Sequence, residues 1–180
     1  DALPIYRSKH IEEFTQRIFA AAENNGARLI RHREGSMSYA ETFVHYVFTT
    51  HNRTPWIESR LERFLYPVLS HEIDNLGAKT FAIGGIEDQV HVAVSQGLSH
   101  RPEDVARELK RRSTAAIRHQ FREFRGFRWQ ATYAAFSVGH GQMPQLIDYI
   151  QNQKLHHARE TLDADIEPLA RSRTQWAHRL

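Results

Sequence analysis

The chain has 180 residues, of which 41% are apolar and 25% charged, and it contains no cysteine. No apolar run approaches the roughly 20 residues of a membrane helix, disulfides and zinc–thiolate sites are excluded, and no basic-then-apolar leader opens the sequence, so one soluble domain of a reducing cytoplasm is expected. A formal charge of +3, twelve histidines and a pI near 9.4 lean towards a polyanionic partner.

Asp1 to Tyr6 resemble adapter-encoded residues and are set aside. Ile11, Phe14, Ile18 and Ala22 recur at helical spacing and "NNG" ends that run. Met37 is read as the natural start of the next unit, which makes residues 1–37 an extension. "ETFVHYVFTT" (41–50) is rich in β-branched and aromatic residues and predicts a strand. Ile57, Leu61, Phe64, Leu65, Val68, Leu69, Ile73 and Leu76 predict a helix over 56–75, kinked or shortened at Pro67 and stopped by Gly77.

"KTFAIGG" (79–85) predicts a second strand. In the third, Val90, Val92 and Val94 alternate with Gln89, His91 and Ala93, the period of a strand with one buried face; the two strands are expected to form an antiparallel hairpin. Pro102 opens a long helix whose apolar stripe is Val105, Leu109, Ala116, Ile117, Phe121 and Phe124. "ATYAAFSVG" (131–139) is the fourth strand, and 142–162 a helix with Met143, Leu146, Ile147, Ile150 and Leu155 on its apolar side. Strand, helix, strand, strand, helix, strand and a final helix predict an α+β ferredoxin-like sandwich with a four-stranded antiparallel sheet. A charged tail, residues 161–180, follows.

The third strand aims Gln89 and His91 at one face, because side chains two apart share a side. On the last helix Tyr149 and Gln153 are one turn apart, and His157 continues the series. If that helix crosses the face bearing His91, a phenol, two amides and one or two imidazoles meet. Such a set suits Mg²⁺ or Mn²⁺ beside a nucleophilic phenol. The plainer alternative is a structural histidine, a core tyrosine and a solvated helix surface. On the second long helix Arg107, Lys110, Arg111, Arg118 and Arg122 fall on one stripe opposite the apolar one, a phosphate-tracking surface. Glu108 and Glu123 partly offset it. Arg125 and Arg128 extend it, and Trp129 is expected in the core.

These segments resemble the single-tyrosine HUH transposases of minimal insertion sequences and their REP-associated relatives. "HYVFTTHNR" is similar to the family's first strand, "EDQVHVAVS" to its Asp-His-hydrophobe-His strand, and "LKRRST" to its Lys- and Ser-bearing helix. "WQATYAAFSVG" matches its aromatic strand and "YIQNQKLHH" its catalytic helix. The resemblance implies a catalytic domain over 38–160 and a DNA transposase that forms a 5′-phosphotyrosine. It assigns Tyr149 as nucleophile and His91 and Gln153 as ligands of Mg²⁺ or Mn²⁺. Its partners would be hairpin-bearing single-stranded DNA and a second copy in a homodimer. The sequence departs at Gln89, which stands where the family has its first histidine. An amide oxygen can still ligate Mg²⁺, yet a DNA-binding relative that has lost cleavage fits the same substitution. An RNA reader is a more distant alternative, since Val90 and Val92 stand where base-stacking rings would be useful.

Overall fold

The computed structural model describes residues 29–31 and 37–158. The expected helix over 11–23 and the tail over 161–180 lie outside the described residues. Two short strands, β1 (Leu29–Arg31) and β2 (Met37–Tyr39), pair antiparallel ahead of the main unit. The sequence reading did not anticipate this ladder, and Met37 is its first residue on the second strand.

The main unit runs β3 (Thr42–Thr49), α1 (Ser59–Asn75), β4 (Lys79–Ile86), β5 (Gln89–Gln96), α2 (Pro102–Gln120) and β6 (Ala134–Val138). Two further helices follow, α3 (Met143–Gln151) and α4 (Gln153–Ala158). The strands form one antiparallel sheet in the order β4-β5-β3-β6. That order, with helical crossovers after β3 and β5, is the α+β ferredoxin-like arrangement that the element order predicts.

One face of the sheet presents Val44, Tyr46, Phe48, Val90, Val92 and Val94 to α1 and α2. Leu61, Leu65, Leu69 and Ile73 repeat every four residues along α1 and are all buried, a seam that drives its docking. Pro67 neither shortens nor stops α1, which continues through it for 17 residues. Its ring is on the exposed side, where water can take the carbonyl that proline leaves without a donor. Gly77, at φ 75°, ends the helix as expected.

The other face carries Phe43, Ala82 and Ala93, packed against Met143, Leu146 and Ile150 of α3. This changes the reading of β5. The alternation suggested one buried face, but helices on both sides bury both, and all but Ser95 of its eight residues are buried. The last helix also differs, because it breaks at Asn152 (φ −101°, ψ 15°) into α3 and α4. The Asn152 amide donates to the carbonyl of Asp148 at 3.0 Å and to its carboxylate at 3.1 Å, competing with the regular helical bonds. Leu155, expected on the apolar side, is 45% exposed beyond that break.

No described helix is long and apolar enough to cross a membrane.

Candidate active site

The β3–β5 register places Val47 opposite His91 and His45 opposite Ala93. Residues opposite one another in an antiparallel pair share a face, so His45, Gln89 and His91 all point towards α3. His45 Nε2 lies 2.9 Å from His91 Nδ1, with the rings 5.1 Å apart and stacked. Gln89 Nε2 lies 2.7 Å from His91 Nε2. An amide nitrogen can only donate, so His91 Nε2 accepts, Nδ1 carries the hydrogen, and His45 Nε2 receives it. His45, Gln89 and His91 are each at most 2% exposed.

Tyr149 comes to this cluster from α3 of the same chain. Its ring meets His91 edge-on at 6.2 Å between centroids and stacks on His156 of α4 at 4.9 Å. Gln153, the first residue of α4, is also buried. Of the groups expected to converge, Gln89, His91 and Tyr149 lie together within one protomer, whereas Gln153 is buried on the next helix, beyond the break at Asn152. A glycine makes the approach possible. A Cβ on Gly84 of β4 would stand 2.1 Å from the carbonyl oxygen of Ile150, the residue after Tyr149. No larger residue lets α3 lie this close to the sheet.

Arg53 completes the wall. Its Nη1 donates to Gln89 Oε1 at 2.7 Å, and its Nε forms an ion pair with Asp88 Oδ2 at 2.8 Å. Since a guanidinium has no acceptor, it also fixes the Gln89 amide with oxygen towards Arg53 and nitrogen towards His91. Asn52 and Arg53 both have positive φ, 54° and 55°, a conformation that asparagine tolerates and arginine reaches at a cost of about 1–2 kcal/mol. The turn is tied to the β4–β5 hairpin by Thr50 N–H donating to Asp88 O and Ile57 N–H to Glu87 O. Burial pushes the Asp88 carboxyl up from its ordinary value, against the pull of Arg53 and His157.

Two of the three expected ligands, Gln89 and His91, are not placed to hold a resident Mg²⁺ or Mn²⁺. Gln89 Oε1 and His91 Nε2, the two lone pairs that would face the ion, already receive N–H groups, one from a guanidinium that would repel a second cation. Among the described residues no three of His, Cys, Asp and Glu come together as a metal site.

A second concavity, of about 680 Å³, lies along α2 and is lined by Arg107, Lys110, Arg111, Arg118, Arg128 and Tyr133 among others. Arg122 is not among its walls, because α2 ends at Gln120. Phe121 leaves helical geometry (φ −127°, ψ 120°) to set its ring edge-on against Phe64 at 5.1 Å. Lys110 donates to the carbonyls of Gln130 and Ala131 at 2.9 and 2.7 Å, so its ammonium holds the loop before β6; burial lowers its pKa. Arg118 likewise donates to Phe127 O. Glu108, held at a pKa of about 2 by hydrogen bonds from Arg111 and Arg112, stays ionised and offsets part of the stripe. Trp129 is core, as expected, with its Nε1–H donating to Ser113 Oγ at 3.0 Å. The groove adjoins the first site through the backbone: His51 N–H bonds Arg128 O and Gln130 N–H bonds Thr49 O.

Sequence reasoning missed His45 and Arg53. His45 sits at an alternate position of an apolar strand, and only the register with β5 shows what it meets. For Arg53 the signal was Asn52, a residue suited to a left-handed turn.

The fold is an α+β four-stranded antiparallel sheet with a tyrosine, two histidines and a glutamine gathered between it and α3. The chain belongs to the IS200-like transposase family, whose model matches residues 38–153. Among solved structures it resembles a candidate transposase from Deinococcus radiodurans R1, with a TM-score of 0.55 and 21% identity over 64% of this chain and 93% of that one. It also resembles a REP-associated tyrosine transposase bound to a REP hairpin, with a TM-score of 0.52 and 14% identity over 64% of this chain and 68% of that one. No curated protein matches.

Proposed function

We propose that this transposase-family chain cleaves and rejoins single-stranded DNA with Tyr149 as nucleophile. The observation that carries the reading is the Tyr149 ring set edge-on against His91 within one chain, under a helix whose seat requires Gly84. Set between the rings of His91 and His156, the phenol is held in one orientation. The Tyr149 oxygen attacks a phosphodiester, the P–O3′ bond breaks, and a 5′-phosphotyrosine and a 3′-hydroxyl result. The phenol loses its proton as the new bond forms, and the departing 3′-oxygen takes one up. The reverse reaction rejoins strands with no external energy source, because the phosphotyrosine keeps the ester bond.

Mg²⁺ or Mn²⁺, expected from the family resemblance, would supply Lewis-acid stabilisation of the phosphate if bound; the hydrogen bonds at Gln89 and His91 do not favour such a site. The catalytic unit in this reading spans residues 38–160. A homodimer, also expected, would join two complete sites, because Tyr149 reaches His91 without help from a second copy. The REP hairpin held by the structural neighbour supports hairpin-bearing DNA as the partner here, in the cytoplasm. The second reading, a DNA-binding relative without cleavage, is favoured by one observation, the glutamine at position 89.

Incubating the full chain with labelled hairpin-bearing single-stranded DNA and separating the products under denaturing conditions tests the choice. A covalent adduct whose mass matches chain plus 5′-phosphorylated fragment is expected. Salt-sensitive binding with no adduct would instead establish the non-cleaving reading.

The groove gives a separate expectation. Arg107→Ala and Arg128→Ala should each reduce the slope of log affinity against log salt by about 0.7 on single-stranded DNA, measured by fluorescence anisotropy. Arg122→Ala, outside the groove, should leave the slope within error of wild type.

A further inference from the structure

The turn after β3 holds a guanidinium where the site's own chemistry calls for positive charge. We propose that Arg53 is the cation of this site: it binds the DNA phosphate that Tyr149 attacks, and the site works without a divalent ion. The inference rests on the tyrosine-transfer reading above and deepens it.

Four observations carry it. Arg53 is held on two sides, by Gln89 Oε1 at 2.7 Å and Asp88 Oδ2 at 2.8 Å, so the group is oriented before any ligand arrives. Its side chain is nevertheless 48% exposed. The contacts engage Nε and one Nη1 hydrogen, leaving three of the five N–H donors, both on Nη2 and one on Nη1, to grip phosphate oxygens. The backbone beneath it is left-handed at two successive non-glycine residues, strain that persists only where surrounding bonds enforce it, and such strain gathers at functional sites. Finally, Gln89 is the residue that joins Arg53 to the tyrosine's partner. One amide accepts from the guanidinium and donates to His91 Nε2. A bare imidazole at position 89 would offer a lone pair to a metal; the amide offers it to an arginine.

Charge closes on the same scheme. As the Tyr149 oxygen bonds to phosphorus and the bond to the 3′-oxygen breaks, negative charge on the non-bridging oxygens grows, and a fixed guanidinium in a partly desolvated wall stabilises it. Asp88 balances Arg53 when no DNA is bound. No oxidant, reductant or second substrate is needed.

The test uses the full chain in four forms: wild type, Arg53→Ala, Arg53→Lys and the double variant Arg53→Ala/Gln89→His. Mn²⁺ binding is read by electron paramagnetic resonance, with and without hairpin-bearing single-stranded DNA. Binding of oligo(dT) is read over a salt series in EDTA and in Mg²⁺. Wild type should lower the free Mn²⁺ signal no further than the DNA alone does, and should bind oligo(dT) no more tightly in Mg²⁺ than in EDTA, since Mg²⁺ then acts only as a competing counterion. Arg53→Ala should weaken binding about tenfold and flatten the salt slope by about 0.7. Arg53→Lys should keep the slope, since it keeps the charge, but lose adduct rate about tenfold or more for want of the paired donors. The double variant should gain Mn²⁺ binding.

Mn²⁺ bound by wild type at one ion per site, an adduct that forms only with Mn²⁺ or Mg²⁺, or an Arg53→Ala slope equal to wild type would each overturn the proposal. Absence of adduct from wild type under every condition removes the strand-transfer reading, while the Mn²⁺ signal and the salt slope still decide the role of Arg53.

Discussion

Tyr149→Phe is expected to abolish the covalent adduct, by more than about 10⁴-fold, while leaving DNA affinity unchanged. The substitution removes one oxygen and keeps the ring that packs on His91 and His156. A lost hydroxyl in a buried site changes stability by about 1 kcal/mol, far too little to unfold a domain with two packed sheet faces. Losing a nucleophile, by contrast, removes the reaction pathway itself. The measurement is a denaturing gel of wild type and variant on hairpin-bearing single-stranded DNA, beside an anisotropy titration. Adduct surviving in the variant would move the nucleophile to another residue. Loss of adduct together with loss of binding would give Tyr149 a structural role instead.

Gly84→Ala is expected to have the next largest effect, although position 84 carries no functional group. The added carbon would lie 2.1 Å from Ile150 O and 3.0 Å from the Ile150 side chain. Backbone cannot yield as a flexible side chain does, so α3 has to move by about 1 Å or more. Overpacking of this kind costs about 1–3 kcal/mol, visible as a lowered melting temperature. A phenol displaced by about 1 Å loses roughly 100-fold in reaction rate. Far-UV circular dichroism should stay close to wild type, because the layer of α1 and α2 is on the opposite face. Gly126→Ala is the control. Its new carbon would sit 3.5 Å from the Trp56 ring, an ordinary contact, and neither stability nor adduct yield should change. Equal adduct rates for Gly84→Ala and wild type would mean that the seat of α3 does not position the tyrosine.

The parts of this molecule that were legible in the sequence are those set by local period. Valines at 90, 92 and 94 fixed both β5 and the face shared by Gln89 and His91. The four-residue repeat from Leu61 to Ile73 fixed α1, whereas the spacing from Tyr149 to Gln153 assumed a continuous helix that in fact breaks at Asn152. What was not legible depends on distant partners or on local competition. His45 joins His91 only because β3 and β5 align Val47 with His91, a register with no trace in either strand alone. Arg53 reaches Gln89 through a left-handed turn that no periodicity announces. Arg122 was placed on the arginine stripe by extending a helical period through Phe121, which instead leaves the helix for an aromatic contact. Asn152 reads as one more polar helix residue, yet its side chain competes for the backbone and cuts the helix in two. Pro67 misled in the other direction: a residue that breaks isolated helices is tolerated where the seam of α1 faces the core and the proline faces water.

The cut at Asn152 bears on how a buried phenol can be used at all. Tyr149 is only 4% exposed, so a phosphate reaches it only after part of its cover lifts. His156, stacked over the ring, belongs to α4, a six-residue piece hinged beyond the interruption. The cover and the seat of the ring are therefore anchored separately: α4 is tied to α1 by the Lys154–Glu62 ion pair, while α3 rests on Gly84 through Ile150.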